Sequence, residues 1–125
     1  MPRVIHFEIP ADDPGRAVNF YSEVFGWKIT KWTGPTDYWL VTTGEGNPGI
    51  NGGLLRRPHP GMSTVNTIDV ASLDEACRTI TEKGGKVVAP KMAIPGVGYL
   101  AYCNDPEGNM FGIMQADASA TQSPA

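Results

Sequence analysis

The sequence predicts an α+β fold of two tandem βαβββ units, and three observations point to it. The chain resembles itself at an offset of 59 residues, the same helix-start chemistry recurs in both copies, and a pair of strand candidates closes each copy. The expected copies are residues 3–56 and 62–115, within a single domain spanning 1–115.

Val4 to Pro10 alternates as a strand does. Asp13 then caps a helix whose first residue is Pro14 and whose apolar positions Ala17, Phe20, Tyr21 and Val24 keep a helical period up to Gly26. A strand follows from Trp27 to Trp32. In the second copy a strand runs from Thr64 to Val70, and Ser72 to Glu75 reads as a capping box. Leu73, Ala76, Cys77 and Ile80 give the helical face, Gly84-Gly85 stops it, and a strand begins at Lys86. The closing strands are Tyr38 to Thr43 with Asn51 to Arg56, and Gly98 to Cys103 with Met110 to Gln115. Gly49 to Leu54 lies 59 residues before Gly108 to Ile113, and Tyr38 is matched to Tyr99 after a shift of two. Arg57 to Ser63, rich in Pro and Gly, joins the copies, and Ala116 to Ala125 has no apolar period and reads as a disordered tail.

A chain of 125 residues can bury a core without staples, and its two cysteines sit in a helix pattern and a strand pattern rather than in a metal-type cluster. They read as reduced core residues. A net charge of −3 with scattered basic residues leaves no footprint for nucleic acid or an anionic membrane. The strand pattern begins by Val4 and no apolar run reaches membrane-spanning length, so a cytoplasmic protein with a small-molecule ligand is expected.

Two motif matches carry little. Gly44 to Gly49 fits G-x-G-x-x-G but leads into Ile50-Asn-Gly-Gly rather than a helix, and so offers no helix N-terminus for a phosphate. Arg56 to His59 reads as a solvated basic stretch.

Ile5-His-Phe-Glu-Ile-Pro, Asp13-Pro, Asn19-Phe-Tyr21 and Val24-Phe-Gly-Trp27 resemble the opening of a glyoxalase-type module. Asn104-Asp-Pro-Glu-Gly-Asn109 resembles its closing signature. Over residues 3–115 the chain resembles the vicinal-oxygen-chelate superfamily of glyoxalases, bleomycin-resistance proteins and dioxygenases. The resemblance implies curved mixed sheets around a concave cleft, with four metal ligands on the cleft face in metal-dependent members. Carried over, those positions are His6, Gly53, Val65 and Gly112. Only His6 has a donor, so no metal or other cofactor is expected, and His6 would be the sole contact for an atypical ion.

Strand alternation sends Ile5, Phe7 and Ile9 beneath the helices and puts His6 and Glu8 together on the other face. A histidine with a carboxylate two residues away can act as general base and orienting partner, and the same pair can equally be structural. Thr67 and Asp69, with Met110 and Gly112, fall on the corresponding face of the second copy, and with Gly53 they make the expected pocket. Tyr38, Trp39 and Tyr99 are its expected rim.

Two functions fit. One is a metal-free or atypical lyase or isomerase acting on a small carbonyl or hydroxy compound; the other is a non-catalytic binding or drug-sequestering protein. A homodimer is expected, with Tyr38, Trp39 and Ile94 to Tyr99 as interface anchors.

Overall fold

Both helix starts form as their residues dictate. In the computed structural model, which describes residues 2–121, Asp13 Oδ1 accepts from the Arg16 amide at 3.2 Å and Ser72 Oγ from the Glu75 amide at 3.3 Å. Each helix thereby satisfies an amide its own turns leave unpaired. The elements are β1 (Val4–Ala11), α1 (Pro14–Phe25), β2 (Lys28–Lys31), β3 (Tyr38–Thr42) and β4 (Gly52–Arg56), then β5 (Val65–Asp69), α2 (Leu73–Glu82), β6 (Lys86–Ile94), β7 (Gly98–Asn104) and β8 (Met110–Ala116). This is βαβββ twice, an α+β chain, with boundaries within a residue or two of those the sequence predicts.

The chain divides into two compact units: Ile5 to Val65, and Asn66 onward together with the first residues through Val4. In the first, the strand order is β2-β3-β4-β1, antiparallel except where β1 runs parallel to β4. In the second it is β5-β8-β7-β6, with β5 parallel to β8. A parallel outer pair in each unit follows from the crossover through a helix, which returns the chain in the direction it came.

Each unit buries one sheet face under its helix. Ala11, Val41 and Leu54 form the first core, with Phe7, Ile9, Ala17, Tyr21, Ile29 and Trp39 packed around them. Leu73, Ala101, Cys103 and Ile113 form the second, with Ile68, Ile80, Tyr99 and Phe111 around them. Phe7 and Ile9 lie beneath α1 as expected, but Ile5 is 45% exposed. The pairing of β1 with β4 starts only at Phe7 opposite Gly52, so Ile5 precedes the covered part of the strand.

The fold also runs past residue 115, where the sequence reading ended it. Ala116 pairs with Gly98 in β8, the Asp117 amide donates to Val97 O at 2.9 Å, and Ala120 is buried. The Ala/Ser-rich composition hid this because the segment is held by backbone bonds, which leave no periodic signature. The remainder of the expected tail, 122–125, lies outside the described residues.

Candidate active site

Strand register assembles the site in the first unit. Glu8 pairs with Gly53, which in turn pairs with Leu40, while Tyr38 pairs with Leu55. Period-two alternation therefore places His6, Glu8, Tyr38 and Gly53 on the sheet face turned away from α1, and Phe7, Trp39 and Leu54 on the face beneath it.

The three polar groups form a chain. Tyr38 Oη donates to Glu8 Oε2 at 2.9 Å, and His6 Nε2 lies 2.9 Å from the same hydroxyl. A phenol has one hydrogen, and it goes to the carboxylate, so toward the histidine the oxygen can only accept. This geometry suits a neutral His6 that carries its hydrogen on Nε2. Burial lowers the His6 pKa below the usual 6.5, and the charge of Glu8, raising it, only partly offsets this. Burial thus favours the neutral imidazole. Glu8 is 5% exposed.

Gly53 makes room for this arrangement. A Cβ there would stand 1.8 Å from Tyr38 Oη and 2.1 Å from Cζ, so the tyrosine fills the space of the absent side chain. In the second unit a Cβ at Gly112 would meet Thr67 Oγ1 at 3.1 Å and Leu100 Cδ1 at 3.7 Å. Both glycines therefore face neighbouring side chains. Among the described residues no three His, Cys, Asp or Glu side chains gather to hold a metal ion. The positions the resemblance assigns to ligands offer a single donor, with the rest of the space at Gly53 taken by a phenol. A divalent cation does not fit this set.

Of the expected pocket residues, His6, Glu8, Tyr38 and Gly53 come together in the first unit. In the second, Thr67 pairs with Gly112 on the face away from α2, with Met110 on the same face two residues before it. The Asp69 carboxylate accepts from the Arg3 amide at 2.6 Å, so it anchors the N-terminal segment. Trp39 and Tyr99, expected at the rim, instead pack against the two helix-side cores. Adjacent strand residues cannot share a face, so Trp39 cannot join Tyr38. Tyr99 was matched to Tyr38, but Leu100 is the true counterpart: Leu100 pairs with Met114 as Tyr38 pairs with Leu55. Sequence reasoning missed Leu100 and missed the bridging role of Tyr38. A glycine cross-paired with an inward acid, with an aromatic one pair further along, was the available signal.

The other motifs are structural. The Asn109 amide and side chain donate to the Asp105 carboxylate at 2.9 and 3.1 Å and the Glu107 amide at 2.8 Å, which ties the β7–β8 turn and lowers the Asp105 pKa. Gly44 to Gly49 is a turn without a following helix. Arg57 donates to Asp12 at 2.9 Å and to Met62 O, clamping the connector.

Comparison with known proteins adds the following. The model of the Glyoxalase/Bleomycin resistance protein/Dioxygenase superfamily matches residues 3–113. A glyoxylase-like domain-containing protein of Didymella fabae is 30% identical over 112 residues, covering 85% of this chain and 88% of that protein. The Mycobacterium bovis protein named as glyoxylase CFP32 is 28% identical over 113 residues, 86% of this chain; the chain spans 42% of that relative's length. Among solved structures, a Streptomyces coelicolor methylmalonyl-CoA epimerase in complex with 2-nitronate-propionyl-CoA is similar with a TM-score of 0.67 at 17% identity, covering 98% of each chain. At that identity the likeness shows the fold.

Proposed function

Because the chain belongs to the glyoxalase/bleomycin resistance protein/dioxygenase superfamily, we propose that it binds a small carbonyl or hydroxy compound and acts on it as a metal-free isomerase or lyase, with His6 as general base. The observation that carries this is the His6–Tyr38–Glu8 chain, which engages His6 through Nε2 and lies where burial favours the neutral imidazole. Nδ1 removes a proton from a carbon next to a carbonyl, and the C–H electron pair moves into an enolate. Return of that proton from the imidazolium to the neighbouring carbon of the enediolate formed from a hydroxy carbonyl compound isomerises it, whereas departure of a β-hydroxyl that takes the proton from the imidazolium eliminates water. The imidazolium formed keeps its Nε2–H on Tyr38, whose own hydrogen points to Glu8, so the positive charge is met by an acceptor chain ending in an anion.

The test is wash-in of deuterium from D2O at carbons next to the carbonyl in a panel of small acyl and hydroxyacyl compounds, followed by NMR. The wild type should exchange one class of compound, and His6→Ala should slow exchange by about a hundredfold or more while ligand affinity holds. Equal exchange by both proteins would refute the base.

The second reading, a non-catalytic binding protein, is favoured by one observation: three of the four ligand positions the resemblance assigns are Gly53, Val65 and Gly112, which have no donor side chain, and the Tyr38 phenol fills the space at Gly53. Mass spectrometry of co-purifying molecules, with no deuterium wash-in for any of them, would select it.

The expected cytoplasmic setting is supported by Cys77 and Cys103, both free thiols, and no helix among the described residues is long and apolar enough to cross a membrane. The expected homodimer is supported by exposed apolar side chains, Phe20, Val24 and Phe25 on α1 and Val97 before β7, each more than half exposed. Trp39 and Tyr99, also expected as anchors, are partly buried against the two cores.

A further inference from the structure

His6 and Glu8, two residues apart on β1, are joined through a tyrosine from another strand. The sequence suggested that the carboxylate orients the histidine itself. The geometry gives that task to a different residue. Resting on the reading of His6 as base, we propose that Tyr38 is the positioning residue of the site. Its hydroxyl, seated in the space that Gly53 leaves and turned toward Glu8, fixes His6 in the Nε2–H form and leaves Nδ1 as the reactive atom.

Three constraints lead there. First, the hydroxyl has a single hydrogen, and its direction toward Glu8 determines what the oxygen can offer His6. A neutral imidazole has two tautomers, and the hydrogen bond at one nitrogen selects between them. Second, the phenol is held from its own side of the chain: Tyr38 O accepts from the Trp32 amide at 2.8 Å, and the Trp32 ring meets the tyrosine ring edge-on with centroids 6.3 Å apart. Third, any side chain at residue 53 would displace the hydroxyl, since the first carbon alone would lie 1.8 Å from it. Gly53 and Tyr38 thus form one device. The repeat underlines this, because at the equivalent of Tyr38 the second unit has Leu100, whose methyl group approaches Gly112 but can orient nothing.

The experiment reads the tautomer directly and needs no substrate. The full chain is labelled with 15N-histidine, and the ring resonances of its two histidines are assigned with His6→Gln and His59→Gln variants. In the wild type at neutral pH, His6 should show a protonated Nε2 whose hydrogen exchanges slowly enough to be resolved, and a bare Nδ1. Tyr38→Phe, with circular dichroism unchanged, should lose that proton resonance to solvent exchange. Gly53→Ala should lose it as well, with the Tyr38 ring shifted. If Gly53→Ala does not fold, Tyr38→Phe alone decides. A wild-type His6 protonated on Nδ1, or a protected Nε2–H that survives in folded Tyr38→Phe, would overturn the proposal. The base reading fails separately: a protein that shows the Nε2–H form and its loss in Tyr38→Phe, but no His6-dependent deuterium wash-in, has the device without the reaction.

Discussion

At the scale of single residues, the site stores its properties in hydrogen-bond direction and burial. Tyr38→Phe removes a hydrogen bond to a carboxylate that is 5% exposed, and should cost about 1.5–3 kcal/mol in denaturant unfolding. Gly53→Ala overpacks the same point and should cost about 1–3 kcal/mol. His6 adds a pH dependence. Its folded pKa is lowered, so the unfolded chain binds the proton more readily. Stability is therefore full above about pH 6.5 and is lost as pH falls from there toward the folded value. Denaturation midpoints at about pH 5 and about pH 7.5 should differ more in the wild type than in His6→Gln; equal differences would discount His6 as the source.

At the scale of elements, helix starts and strand register decide what each segment can contribute. The first amide of α2, Leu73, donates to the Gln115 side chain at 2.9 Å, and Ser72 takes the Glu75 amide, so β8 and the cap share the task of closing the helix. Ser72→Ala should cost about 1 kcal/mol, measured by thermal or denaturant unfolding, and the double change with Gln115→Ala should cost less than the sum of the two single changes if they act as one unit. Register explains the aromatic residues as well. Tyr38 reaches Glu8 because Tyr38 pairs with Leu55 one alternation step from Gly53, and Trp39 goes to the core by the same rule.

At the scale of the whole molecule, the two thiols report on integrity. Cys103 is fully buried, and burial, reinforced by Cys77, pushes its thiol up to about 11. A thiol-specific reagent at about pH 8 should label Cys103 only as fast as its unit opens, and destabilising the core around it with Ile113→Ala should accelerate labelling. Prompt labelling of Cys103 in the native protein, distinguished from Cys77 by peptide mapping, would contradict the core placement. For assembly, sedimentation at micromolar concentration should give twice the 13.4 kDa chain mass, and a species at the chain mass would exclude the dimer.

The sequence by itself determined the repeat, both helix starts, the strand order along the chain and the placing of His6 and Glu8 on one strand face. These depend on spacing within a segment, and spacing is local. It also set aside Gly44 to Gly49 correctly, since the residues after the motif lack a helical pattern. Only the tertiary structure decided that Tyr38 stands between His6 and Glu8, that Leu100 rather than Tyr99 is its counterpart, and that Ala116 and Ala120 belong to the fold. Each of these depends on which residues of distant segments lie opposite one another. A change of one position in the pairing of β3 with β4 would send Tyr38 to the core and Trp39 to the site, and that pairing is fixed by packing across strands, which no spacing within β3 records.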